Sequence, residues 1–122
     1  MTNYLTLLLF TCISILGCGN SISIDSKDAI HLVNNEKYYF LDVRTLREHD
    51  NMSIPNTYCI PVQEISERLS ELDKQKDKVI VVYCRSGNRS NKATKILNDN
   101  GFNAVNLIGG MNKWNGKTIT NN

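Results

Sequence analysis

"VIVVYCRSGNRSNKATKIL" (residues 79–97) is the stretch on which the reading of this chain turns. Val79, Ile80, Val81, Val82 and Tyr83 form an unbroken apolar run with no polar alternation. Such a run predicts a strand covered on both faces, as in a parallel sheet. It stops on Cys84. Arg85, Ser86, Gly87, Asn88 and Arg89 follow, all polar or flexible, and then Ala93, Ile96 and Leu97 fall at helical spacing. Asn100-Gly101 supplies the stop. The pattern is strand, loop, helix, with a thiol at the carboxyl end of the strand, where open α/β sheets bind their ligands.

The chemistry of that position follows from the loop. Backbone N–H groups at a helix start point toward the loop, and the helix dipole adds partial positive charge. Gly87 lets the loop curl so that these amides converge into an anion-binding nest. A cysteine inside such a nest is stabilised as thiolate, its pKa falling from about 8.5 toward 3.5–7.5. Arg85 and Arg89 strengthen the field and suit an anionic substrate. Cys84 is therefore the candidate nucleophile, and Arg85, Ser86, Gly87, Asn88 and Arg89 are the candidate substrate-binding residues.

The flanking segments repeat the alternation. "SISI" (21–24), "YYFLDV" (38–43), "YCIP" (58–61) and "AVNLI" (104–108) read as strands. Asp25 or Ser26 caps a helix carrying Ala29, Ile30 and Val33. Thr45 with Glu48 three residues later reads as a capping box. In "VQEISERLSELDK" (62–74), Val62, Ile65, Leu69 and Leu72 predict one helical face, with Glu64 and Arg68 paired on its outer side. "GGMNKW" (109–114) predicts a tight turn and a short helix ending on Trp114, a core or rim aromatic. The order predicts a three-layer α/β/α fold with a mostly parallel sheet between helices. At 122 residues the chain suits one domain. A net charge of +2 argues against nucleic-acid binding, which needs a concentrated basic face.

The N-terminus differs in kind. Residues 1–17 carry no charged side chain, and "LTLLLFTCISIL" (5–16) is almost wholly apolar. That run is shorter than the roughly 20 residues a membrane span requires, and has the length of a signal-peptide core. "ILGC" (15–18) directly after it resembles the lipobox of bacterial lipoproteins. The resemblance implies that residues 1–17 are removed as a signal, and that Cys18 is lipidated and heads a mature domain of residues 18–122. The protein would then be exported to the bacterial cell envelope and lipid-anchored, in the periplasm or on the outer face of the membrane. An ordinary cleaved signal and a short apolar N-terminal strand are the alternatives.

"CRSGNRS" after "VIVVY", with "LDVR" (41–44) upstream and "GGMNKW" downstream, resembles the rhodanese family of sulfurtransferases over about residues 21–114. The resemblance implies a central parallel five-stranded sheet. It also implies transfer of a sulfane sulfur, through a persulfide on Cys84, from thiosulfate or another donor to cyanide or a thiol. No metal or organic cofactor is implied, and a monomer is expected. The chain departs from the family at "MSIPNT" (52–57) and "CIP" (59–61), which keep Pro55 and Pro61 but not the family's histidine and small residues. Cys59 is read there as a small buried hydrophobe, with a resolving thiol as the alternative.

Two other functions stay open. A cysteine phosphatase or arsenate reductase needs a cysteine, five residues and then arginine. Here Arg89 comes one residue early and Ser90 holds that place. The other is a non-catalytic binding or redox-sensing module. Asp42 and Arg44 are read as a scaffold pair, His31 and His49 as surface histidines without metal-ligand spacing, and Gly109-Gly110 as a turn near the mouth of the site.

Overall fold

The computed structural model describes residues 22–121. The expected signal (1–17), Cys18 and the first residue of the expected strand at 21–24 lie outside the described residues. Five strands follow in chain order: β1 (Ser23–Ile24), β2 (Tyr38–Asp42), β3 (Tyr58–Cys59), β4 (Val79–Tyr83) and β5 (Asn103–Leu107). They form one sheet in the order β1-β5-β4-β2-β3, and every pairing is parallel. The uninterrupted apolar run thus occupies the central strand, as its lack of alternation requires. Helices α1 (Ser26–Ala29), α2 (Leu46–Asn51) and α3 (Asn88–Asp99) lie in the β1–β2, β2–β3 and β4–β5 crossovers, and a 3-10 turn at Ile30–Leu32 extends the first. The 3-10 stretches Val62–Glu67 and Leu69–Gln75 make the β3–β4 crossover, and α4 (Gly110–Lys113) follows β5. Among the described residues no helix is long and apolar enough to cross a membrane.

Strand alternation divides the core into two layers. Leu41, Val43, Ile80, Val82, Cys84 and Ala104 face one side, against Ile65, Leu72, Ala93 and Leu97. Phe40, Val81, Tyr83 and Leu107 face the other, against Ala29, Ile54 and the partly buried Trp114. Burying each of the larger aliphatic side chains contributes about 1.5–3 kcal/mol relative to leaving it in water. Phe40 and Trp114 meet edge to face, with ring centroids 6.3 Å apart.

Local capping matches the sequence in two places. Asp25 accepts from the Asp28 N–H at 3.0 Å at the start of α1. Thr45 and Glu48 exchange both bonds of a capping box at the start of α2. The segment at 62–74 differs from expectation. It is not one α-helix but two 3-10 stretches parted at Arg68, whose backbone lies at φ −120°, ψ 19°. The apolar residues come as two pairs three apart, Val62 with Ile65 and Leu69 with Leu72, and side chains three apart eclipse in a 3-10 helix. The single step of four falls at the break. Arg68 reaches Glu64 at 3.4 Å, as expected, but also holds Glu71 more closely at 2.6 Å.

Candidate active site

The loop after β4 closes tightly around the Cys84 sulfur. Gly87 takes a left-handed backbone, φ 107°, and serves as the N-cap of α3 with no side-chain cap. The first intrahelical bond runs from the Asn91 N–H to the Gly87 carbonyl at 3.1 Å. The N–H groups of residues 88–90 thus have no partner within the helix, and the nest forms there. Gly87 N–H donates to Cys84 Sγ at 3.1 Å, and Ser90 Oγ lies 3.3 Å from it. Cys84 is fully buried. Burial pushes its thiol up, but hydrogen bonds from the Ser90 side chain and backbone, and from the Gly87 and Ser86 N–H groups, together hold it below its ordinary value.

The start of α4 backs this loop. The Met111 and Asn112 N–H groups donate to the Cys84 and Arg85 carbonyls at 2.9 and 3.0 Å. Gly110 allows that approach: a Cβ there would stand 2.2 Å from the Cys84 carbonyl oxygen, on a backbone at φ 52°. From β5, Asn106 Nδ2 donates to the Gly87 carbonyl at 3.3 Å.

Two ion pairs border the loop. Arg89 grips Glu48 through two bonds, at 2.8 and 3.1 Å. Arg89, helped by the Thr45 backbone, holds the Glu48 carboxyl down at about 2, from an ordinary 4.5. Because that pKa is depressed, the stabilisation is fully present above pH 4.5 and is lost as pH falls toward 2. Arg44 and Asp42 form a buried pair at 2.7 Å, and the same Arg44 nitrogen donates to the Met52 carbonyl at 2.7 Å. His49 Nδ1 lies 2.9 Å from Asp42 Oδ2 and is mostly buried, so it is not the surface histidine expected from its polar neighbours. A depression of about 330 Å³ opens beside the loop, lined by Arg44, Glu48, Met52, Arg85, Met111 and Asn112 among others.

A family model described as a rhodanese-like domain matches residues 25–117. The chain belongs to this family. It is 40% identical over 88 residues to YtwF of Bacillus subtilis, covering 72% of this chain and 84% of YtwF. It is 38% identical over 93 residues to a sulfurtransferase of Allochromatium vinosum, covering 75% of this chain and 85% of that one. The crystal structure of a rhodanese-related protein from Thermoplasma volcanium is similar with a TM-score of 0.74 at 32% identity, covering 81% of this chain and 98% of that chain.

Within this rhodanese-like domain the predicted site residues separate by role. Cys84, Ser86 and Gly87 come together at the sulfur; the Arg85 side chain is exposed at the depression, Asn88 is exposed, and Arg89 is engaged by Glu48. Sequence reasoning missed Ser90 as a sulfur ligand, Asn106 as a support of the loop, and Glu48 as the partner of Arg89. The first two carry no spacing signal. Glu48 does belong to a motif, but one that announces only a helix cap.

Cys59 sits on the opposite face from Cys84. In the parallel register Cys59 and Tyr83 both align with Asp42, so Cys59 shares the face of Tyr83, while Cys84 points the other way. Two strand spacings, about 9.6 Å, also exceed the Cα separation of up to about 7 Å that a disulfide allows. Cys59 donates instead to the Arg44 carbonyl at 3.5 Å, and burial, then the Asp42 charge, pushes its thiol up to about 12. Asp42, His49 and Cys59 bring one donor atom each to within 4.8 Å of one another. The donor set does not suit a cation: Arg44 occupies both Asp42 oxygens, and the thiol is held protonated.

Ser90 offers a direct test of the nest. Ser90→Ala is expected to raise the midpoint of Cys84 alkylation, because the side-chain hydrogen bond that stabilises the thiolate is lost. Rates of reaction with iodoacetamide measured against pH give that midpoint, and an unmoved midpoint would show that Ser90 plays no part.

Proposed function

We propose that the domain moves a sulfane sulfur from a small anionic donor, thiosulfate or another persulfide donor, to cyanide or a thiol through a persulfide on Cys84. The observation that carries this reading is the convergence of backbone N–H groups and Ser90 on a buried sulfur at the start of a 12-residue helix. With thiosulfate, the Cys84 thiolate attacks the outer sulfur, an Sγ–S bond forms, the donor S–S bond breaks, and sulfite leaves with the electron pair. Cyanide then attacks the outer sulfur of the persulfide, thiocyanate departs and the thiolate returns. Burial of Cys84 favours a donor that presents one atom end-on. The loop amides stabilise negative charge on that atom without reorganising.

The phosphatase and arsenate-reductase alternative lacks its clamp. That chemistry wants an arginine on two oxygens of a tetrahedral anion, and Arg89 is already paired with Glu48. The purified protein with thiosulfate and cyanide is expected to form thiocyanate and to leave aryl phosphates intact. Aryl-phosphate hydrolysis that is lost on Cys84→Ser would replace this reading. We further propose, from the apolar run at 5–16 and "ILGC" at 15–18, that residues 18–122 are the mature domain, tethered by acylated Cys18 to the bacterial cell envelope. Wild-type protein should then take up labelled fatty acid and sediment with membranes, while Cys18→Ala does neither. Soluble wild-type protein with a mature N-terminus other than residue 18 would remove the anchor.

A further inference from the structure

The charges around the depression bear on which donor enters it. Of the cations lining it, Arg44 is engaged by Asp42, and the negative Glu48 is itself engaged by Arg89. Arg85, exposed at the rim, makes no ion pair among the described residues. With histidines neutral, the lining and its partners carry one net positive charge. Glu48 cannot easily swing away, because Oε1 also accepts from the Thr45 backbone N–H at 3.2 Å and the Thr45 hydroxyl at 3.1 Å. Met52 and Met111 form the apolar part of the wall, and Met52 is 46% exposed there.

Thiosulfate would bring two negative charges and no carbon into this place. An organic persulfide brings at most one charge at its sulfur, and its carbon substituent has thioether surface to lie against. We propose that the preferred donor is an organic persulfide, R–S–SH, and that Glu48 sets this preference by neutralising Arg89 beside the nest. The inference rests on the sulfurtransferase reading above. In the step, Cys84 thiolate attacks the outer sulfur and the Sγ–S bond forms. The donor S–S bond breaks, R–S⁻ leaves with the electron pair, and the proton stays on the transferred sulfur.

Glu48→Gln tests it cleanly, because glutamine at this position still serves a capping box. Full-length protein is assayed with thiosulfate and with 2-hydroxyethyl persulfide, which has no charge on its carbon side. Wild type should show the higher kcat/KM for the persulfide, by about tenfold or more. In Glu48→Gln the KM for thiosulfate should fall about tenfold and that for the persulfide by less than about threefold, as expected for one uncovered charge in a partly screened site. Adding Arg89→Gln to Glu48→Gln should reverse the gain. Sulfate protection of Cys84 against iodoacetamide reads the same selectivity without turnover: strong in Glu48→Gln, weak in wild type and in the double variant. A wild type that prefers thiosulfate, or equal KM changes for both donors, would overturn the proposal, as would sulfate protection that ignores Glu48. Failure of both donors to turn over, with sulfate protection behaving as described, would sink sulfur transfer itself and with it the donor assignment.

Discussion

Cys84→Ala protein is expected to form no thiocyanate above background, a loss of at least about a thousandfold in kcat/KM. Attack on the donor and storage of the transferred sulfur both need a sulfur atom inside the nest, and no other described residue places one there. The companion variant Cys59→Ser should keep most of the activity. Its sulfur lies on the opposite face of the sheet, and its thiol is held protonated by burial and by the neighbouring Asp42 charge. Thiocyanate formation measured on both variants, with circular dichroism confirming that each is folded, separates the two thiols. Turnover by Cys84→Ala at a rate near wild type would remove the persulfide mechanism outright.

Asp42→Ala should be the most destabilising single change at the border of the site. Asp42 is fully buried and Arg44 is 5% exposed. The Asp42 carboxylate accepts from the Arg44 backbone N–H at 2.9 Å and from two guanidinium nitrogens, and it also meets His49. Removing it strands a buried guanidinium, at a cost of about 3–5 kcal/mol. For a domain of this size, that is a fall in melting temperature of about 12 °C or more. The double variant Asp42→Ala, Arg44→Met should recover a large part, because the stranded charge is then gone and its stem volume is kept. Calorimetry on the three proteins checks this. A single variant that melts within a few degrees of wild type would show that the pair is not needed for stability.

The donor experiment and these two variants address different layers of one construction. Cys84 lies on the side of the sheet packed by α3, whereas Asp42, Tyr83 and Cys59 lie on the other. The Tyr83 hydroxyl sits 2.8 Å from the Thr57 hydroxyl and accepts from the Ile54 N–H at 3.3 Å, while Arg44 stacks over the Tyr83 ring at 5.7 Å. The segment at 52–57 is therefore tied to the border of the site through Tyr83 and Arg44. Two of those ties use backbone atoms of the segment, the Met52 carbonyl and the Ile54 N–H.

Much of this was legible in residue order alone. An unbroken β-branched run specifies a central strand because both of its faces must be covered. A cysteine followed by a glycine-containing loop and an amphipathic helix specifies a thiol at a helix start, because handedness and strand direction put it there. The caps at Asp25 and Thr45 were readable because a side chain bonding three residues ahead is a local event. The single α-helix expected over 62–74 was not borne out. Periodicities of three and four differ by one step, and packing against α3 and the sheet decided between them.

The parts that belong to the tertiary structure share one property: each joins residues far apart in the chain. Arg89 meets Glu48 across 41 positions, and Asn106 meets the Gly87 carbonyl across 19. Gly110 clears the Cys84 carbonyl from another turn altogether. Sequence by itself determined the strand, the nest and the thiol, because their geometry is set by neighbours along one backbone. Only the folded sheet decided which arginine is already paired and that Cys59 faces away from the nest, because charge pairing and side-chain facing depend on register and packing.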